Sequence, residues 1–166
     1  MKVFGITGWK NSGKTTLVTK LLREISGRGY TVSTIKRTHH NVDLDSPGTD
    51  SFKHREAGAQ EVMLASDQRY AIMKELITRA SLPDLIARMA PVDLLLVEGF
   101  KTEPHPKIEC HRDGGKQPLI SAGNQTIVAV ATQTQIDIAV PQLDLDNVQQ
   151  IADFIIEHVG LTGGGR

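Results

Sequence analysis

The chain has 166 residues, enough for one domain with a core that folds alone. Its 19 Lys and Arg residues balance 19 Asp and Glu residues, so there is no basic footprint for nucleic acid and no net charge suited to an acidic membrane surface. The single cysteine, Cys110, excludes an intramolecular disulfide and fits a reducing cytoplasm, and no apolar run approaches the ~20 residues that span a bilayer.

In chain order, Val3–Thr7 reads as a short buried strand, which leaves no room for a signal peptide before it. It runs into Gly8-Trp9-Lys10-Asn11-Ser12-Gly13-Lys14-Thr15, a match to the G-x-x-x-x-G-K-[ST] phosphate-binding loop. The two glycines let the backbone wrap closely enough for successive N–H groups to face phosphate oxygens. Lys14 reaches the β- and γ-phosphates, the Thr15 hydroxyl ligates Mg²⁺, and Thr16 continues into a helix whose positive end faces the anion. Leu17, Leu21, Leu22 and Ile25 repeat at helical spacing, and Gly27 and Gly29 close the helix. Trp9, the only tryptophan, is expected to be exposed beside the nucleotide or at a subunit contact. Lys10 adds a second positive charge near the phosphates.

Thr31–Lys36 is a second strand, and Lys36, Arg37, Thr38, His39 and His40 leave it at the edge where ligands bind in such sheets. Lys36, His39 and His40 are therefore candidate phosphate contacts, with a switch-like movement as one role for the histidines. Zinc ligation is the alternative, but no C-x-x-C or H-x-x-x-H spacing recruits Cys110, His54, His105 or His111. A polar loop spans Thr38–Thr49. Asp50–Ala57 reads as a short helix stopped at Gly58 and capped by Asp50 or Ser51. Asp50 is a candidate catalytic group, ordering water or metal opposite the γ-phosphate, with plain capping as its structural alternative. Glu61–Ala65 and Arg69–Lys74 suggest a hairpin about Ser66-Asp67-Gln68, and Leu82–Met89 a helix capped by Ser81 with Pro83 in its first turn.

Val92–Val97 is a near-continuous apolar run, as in a strand buried on both faces, and it ends in Glu98-Gly99. An acid at the carboxyl end of such a strand holds Mg²⁺ or positions the attacking water, so Glu98 is the second metal-side group. Asp93, at the far end, takes a structural role. Further strands follow at Lys107–His111 and Ile127–Ala131. Asp146 or Asn147 caps a last helix through His158, with Val148, Ile151, Ala152, Ile155 and Val159 on one face. The alternation predicts an α/β, phosphate-loop NTPase-like three-layer fold: a mostly parallel sheet with helices on both faces and an antiparallel hairpin. Residues 1–159 are expected to form one domain, with a disordered tail at Gly160–Arg166.

The phosphate loop, Ile35–His40, Arg55-Glu56-Ala57-Gly58-Ala59, Val97-Glu98-Gly99-Phe100-Lys101, Pro106-Lys107-Ile108-Glu109 and Arg112 occur in one order. In this the chain resembles the molybdopterin-guanine dinucleotide biosynthesis protein B family, MobB, over most of residues 1–158. The resemblance implies a GTP-binding cytoplasmic accessory protein, often dimeric, with feeble GTPase activity and molybdopterin in its pathway. Such a protein assists the guanylyltransferase MobA, which joins GMP to molybdopterin. One departure stands out: no N-K-x-D guanine-reading motif is present, and Thr132-Gln133-Thr134-Gln135 follows the late strand without an acid. Two other readings compete. A small kinase needs an arginine-bearing lid, whereas a Pro-rich loop follows the Glu98 strand. A nucleotide-gated metallochaperone is permitted by the histidines but lacks clustered ligands.

Overall fold

The computed structural model describes residues 1–38, 43–112 and 117–162. They divide into two compact units, Met1–Arg37 with Ala90–Arg166, and Thr38–Met89. The first unit is a six-stranded sheet formed by β1 (Lys2–Thr7), β2 (Val32–Lys36), β5 (Leu94–Glu98), β6 (Lys107–Cys110), β7 (Ile127–Thr132) and β8 (Gln142–Asp144). All neighbours are parallel, in the order β2-β5-β1-β6-β7-β8. The apolar runs predict β1 and β5, whose Phe4, Ile6 and Leu94–Val97 are wholly buried. β8 was not anticipated: at three residues it is too short to show a period.

Helices α1 (Lys14–Gly27) and α4 (Val148–Val159) pack together against one face of this sheet. Leu17, Leu21 and Ile25 meet Ile151, Ala152 and Ile155 over Phe4, Ile6, Leu96, Ile108 and Ala129. Arg28, just past α1, pairs with Glu24 at 2.8 Å and with Asp153 of α4. Asn147 caps α4 through its side chain, and Gly160 closes it in the left-handed conformation. Leu161 still packs on the core, while residues 163–166 of the expected tail lie outside the described residues. At the edge where β2 and β5 begin, the Asp93 carboxylate accepts from Thr31 N–H at 2.8 Å and from Thr31 Oγ1 at 2.7 Å. Asp93 is thus the structural staple expected of it.

The other face of β1 and β6 is polar. Lys107, fully buried, donates at 2.6 Å to each of the Glu103 carbonyl, the His105 carbonyl and Thr126 Oγ1, and burial pushes its pKa down to about 8. His105 lies so close to Gly5 that a Cβ there would sit 2.6 Å from its Nε2. Only glycine lets this segment approach the strand.

The second unit holds α2 (Asp50–Glu56), the antiparallel pair β3 (Glu61–Ala65) and β4 (Tyr70–Lys74), and α3 (Leu82–Ile86). The hairpin turns at Ser66–Arg69, where Ser66 N–H donates to the Arg69 carbonyl at 2.8 Å. The cap of α2 is Thr49, whose hydroxyl accepts from Phe52 N–H, and Asp50 is the first helical residue rather than the cap. Ser81 caps α3 in a reciprocal pair with Asp84, but the helix stops at Ile86. Arg55 ties α2 to Asp43 and Glu75, each at 2.7 Å. Among the described residues no helix is long and apolar enough to cross a membrane.

His105 gives a pH test of the packing against β1. Burial pushes its pKa down to about 4, with the Lys107 charge adding to the effect, and among the described residues neither ring nitrogen has a hydrogen-bond partner. The unfolded chain binds a proton near pH 6.5, before the folded chain does, so this contribution is complete above pH 6.5 and is lost as pH falls towards 4. Unfolding followed from pH 7 to 4 should show a steeper loss of stability in the parent protein than in His105→Gln. Parallel profiles would assign the acid sensitivity to other groups.

Candidate functional site

The site forms where β1, β5 and β2 end side by side. The register pairs Ile6 with Glu98 and Glu98 with Lys36, so the residues that follow all emerge at one edge. From β1 the chain enters the loop at Gly8, turns with Ser12 N–H on the Trp9 carbonyl at 3.3 Å, and starts α1 at Lys14. Asn11 takes a left-handed φ of 64°, which Asn tolerates better than most residues. Gly13 is the N-cap of α1, also left-handed at φ 93°, and the first turn of the helix contains no acid. The first-turn amides are thus left facing the loop interior with their share of the helix dipole.

Lys14 arches back over this loop. Its Nζ donates to the Trp9 carbonyl at 2.5 Å and to Ser12 Oγ at 3.4 Å. Burial lowers its pKa, partly opposed by Cys110 and Glu98. One residue on, Thr15 Oγ1 donates to Glu98 Oε1 at 2.8 Å. Lys36 Nζ touches both, 3.0 Å from Thr15 Oγ1 and 3.1 Å from Glu98 Oε1. The Glu98 side chain is 8% exposed, so its charge faces this cluster rather than solvent. A cation therefore sits against the hydroxyl of the loop threonine and the carboxylate at the strand end.

Four predicted residues, Lys14, Thr15, Lys36 and Glu98, come together here. Gly8 and Ser12 are buried within the loop, while Lys10, Asn11 and Thr16 are exposed on its rim. Asp50 belongs to the other unit, where its 91% exposed side chain pairs with Lys53 at 3.1 Å. His39 and His40 lie outside the described residues. Among the described residues there is no cluster of three His, Cys, Asp or Glu side chains that could hold a metal ion.

Trp9 is half exposed and anchored from two sides. Its Nε1 donates to the Pro118 carbonyl at 2.8 Å, and Lys101 Nζ lies 3.5 Å from the ring centroid. Pro118 is held in turn through Glu109, a fully buried carboxylate that accepts from Ile120 N–H at 2.9 Å and Ser121 N–H at 2.8 Å. Sequence reasoning gave Glu109 no role of its own. Its only signal was a charge alternating, like Lys107, with the apolar Ile108 and Cys110.

The family model described as molybdopterin guanine dinucleotide synthesis protein B, MobB, matches residues 3–133. The chain belongs to the MobB family. It is 46% identical to the molybdopterin-guanine dinucleotide biosynthesis adapter protein of Haemophilus influenzae, over 99% of this chain and 93% of that protein. Identity to the Escherichia coli protein of the same name is 39%, over 98% of this chain and 95% of the relative. A crystal structure of molybdopterin-guanine biosynthesis protein B superposes with a TM-score of 0.74 at 26% identity, covering 94% of this chain and 99% of that one. The predicted phosphate-loop α/β fold is thus the fold of this family.

The Glu109 brace is open to direct test, because Trp9 is the only tryptophan. Glu109→Ala strands two buried N–H groups, each costing ~1–3 kcal/mol. It should lower stability and release Pro118, with Trp9 emission moving to longer wavelength and iodide quenching rising. Unchanged Trp9 fluorescence in a destabilised variant would show that the loop is held by other contacts.

Proposed function

We propose that this chain binds GTP with Mg²⁺ at Gly8–Thr15 and serves as the adapter in molybdopterin guanine dinucleotide formation, assisting the guanylyltransferase MobA. The observation that carries the reading is the meeting of Thr15, Glu98 and Lys36. The Lys36 ammonium lies against a hydroxyl and a carboxylate, both hard oxygen donors of the kind Mg²⁺ takes. Thr15 and Glu98 would hold the metal, which supplies charge neutralisation at the phosphate chain. Lys36 would then turn to the phosphates, as would Lys14 on leaving the Trp9 carbonyl. The Gly8–Thr15 amides orient the α- and β-phosphates and the helix end favours their charge. Guanine as the base rests on the family resemblance, and His39 and His40 as phosphate contacts on their place in the sequence just after β2.

The family's adapter name supports a role exercised through a partner enzyme. The hairpin supports a homodimer: Met63 and Ile72 pair across it, and Met63, Leu64, Tyr70 and Ile72 are each 48–67% exposed. An apolar ribbon of this kind is ordinarily covered by another chain. A cytoplasmic setting matches a single buried cysteine and a nucleotide ligand.

Lys14→Ala should weaken GTP binding about ten- to a hundred-fold, the worth of one charge-assisted phosphate bond at ~1.5–3 kcal/mol, without altering the fold. Glu98→Gln should weaken binding with Mg²⁺ more than without it. Calorimetry reads both, and wild-type affinity in Lys14→Ala would refute the loop assignment.

The role itself is tested by guanine dinucleotide formation with purified MobA, molybdopterin and GTP, with and without this protein at its measured molar mass. Yield should rise with added protein, while intrinsic hydrolysis stays slow, because the sequence shows no recognisable arginine finger of the kind that contributes ~10³–10⁵ in rate. Unchanged yield together with phosphorylation of a small molecule at ~1 s⁻¹ or faster would replace the adapter with a kinase.

A further inference from the structure

We propose that Arg112 is a phosphate-binding residue of this nucleotide site, its guanidinium laid over the Gly13 corner of the loop to hold the α,β end of the polyphosphate. The proposal rests on the nucleotide reading above and adds a ligand-contacting group from a different strand. β6 runs beside β1 in parallel register, Thr7 level with Glu109, so the chain leaving β6 passes along the loop that leaves β1. A Cβ built on Gly13 would lie 3.2 Å from Arg112 Nε and 3.3 Å from both Cζ and Nη2. Three guanidinium atoms at nearly equal distance mean that the plane lies flat on the Gly13 Cα. Gly13 thus serves two ends, a left-handed turn and an open face for the arginine.

This is a costly place for a cation. Gly13 caps α1, whose first turn carries no acid to offset the positive end of its dipole. Lys14 follows immediately, and Lys101 is close enough for the Lys14 charge to help lower its pKa, after burial. Among the described residues Arg112 forms no hydrogen bond or ion pair. The two buried acids of this cluster are already engaged, Glu98 by Thr15 and Lys36 and Glu109 by the Ile120 and Ser121 amides. An anion between the guanidinium and the loop amides relieves all of these repulsions at once. The planar fork of arginine suits two phosphate oxygens together, which a lysine head does not. Because the contact is at Gly13, it falls on the phosphates that GTP and GDP share.

The test is calorimetry of Arg112→Ala with GTP and with GDP, both with Mg²⁺, beside Lys14→Ala. Arg112→Ala should weaken both nucleotides by about tenfold or more, with the melting temperature of the nucleotide-free protein unchanged. GDP binding as tight as in the parent protein overturns the proposal and reduces Arg112 to cover for Gly13. If Arg112→Ala also loses stability, Arg112→Gln, which retains the stem and a planar polar head, decides in the same way. Loss of binding in Lys14→Ala with full GDP affinity in the arginine variants would discard Arg112 alone. A parent protein that binds neither nucleotide would discard the nucleotide reading and Arg112 with it.

Discussion

The hydrogen bond from Thr15 to Glu98 joins the start of α1 to the end of β5, and the rest of the site is arranged about it. It exists because the sheet is parallel and in step. Ile6, Glu98 and Lys36 share one level across three strands, so a loop, a carboxylate and an amine reach the same edge without any long excursion. A slip of one residue in β5 would turn Glu98 to the opposite face and bring an apolar neighbour to the edge. The register is held at the far end by Asp93 and Thr31 and along its length by the unbroken apolar run of β5. Packing far from the site therefore sets the geometry within it.

The two faces of the sheet do different work. One is apolar and carries α1 and α4, which position the helix that begins at Lys14. The other, behind β1 and β6, carries two buried charges satisfied inside the protein, Lys107 with its three oxygen acceptors and Glu109 with its two amides, beside His105 and Thr7, whose buried polar atoms find no partner among the described residues. Removing one member of such a set leaves the others unpaired in a low dielectric, so the arrangement is rigid as long as it is complete. Through Pro118 this rigidity extends to Trp9 and so to the loop itself. The loop is thus fixed both by the helix that follows it and by a brace from the neighbouring strand.

The parts of this site that were legible in the sequence are those defined by neighbours in the chain. The eight-residue loop and the acid ending an apolar run announce their own geometry, and Lys36 follows from the strand that carries it. Parts defined by contacts across the fold were not legible. Thr49 outcompetes Asp50 as a cap because it holds the extended backbone just before the helix, a choice of one residue that composition does not reveal. β8 depends on the edge that β7 offers and has too few residues to show a pattern. Lys107 and Glu109 look in the sequence like solvent-facing strand residues, and only the segments folded over them show that they are buried. Arg112 stands nearly a hundred positions from Gly13, and nothing local relates the two.

Charge shows the same contrast between composition and arrangement. With 19 residues of each sign the chain has no net charge, and that balance argues against a broad polyanion-binding face. The fold nevertheless gathers Lys14, Lys36, Lys101 and Arg112 around one loop, with the engaged carboxylates Glu98 and Glu109 close by. Fields of this kind decay within about one Debye length, ~8 Å at physiological salt, so they act on a ligand seated in the loop and hardly at all on one passing outside. A small polyanion is favoured there and an extended one is not. That selectivity comes from where four cations sit, and a formal charge of zero over the whole chain is compatible with it.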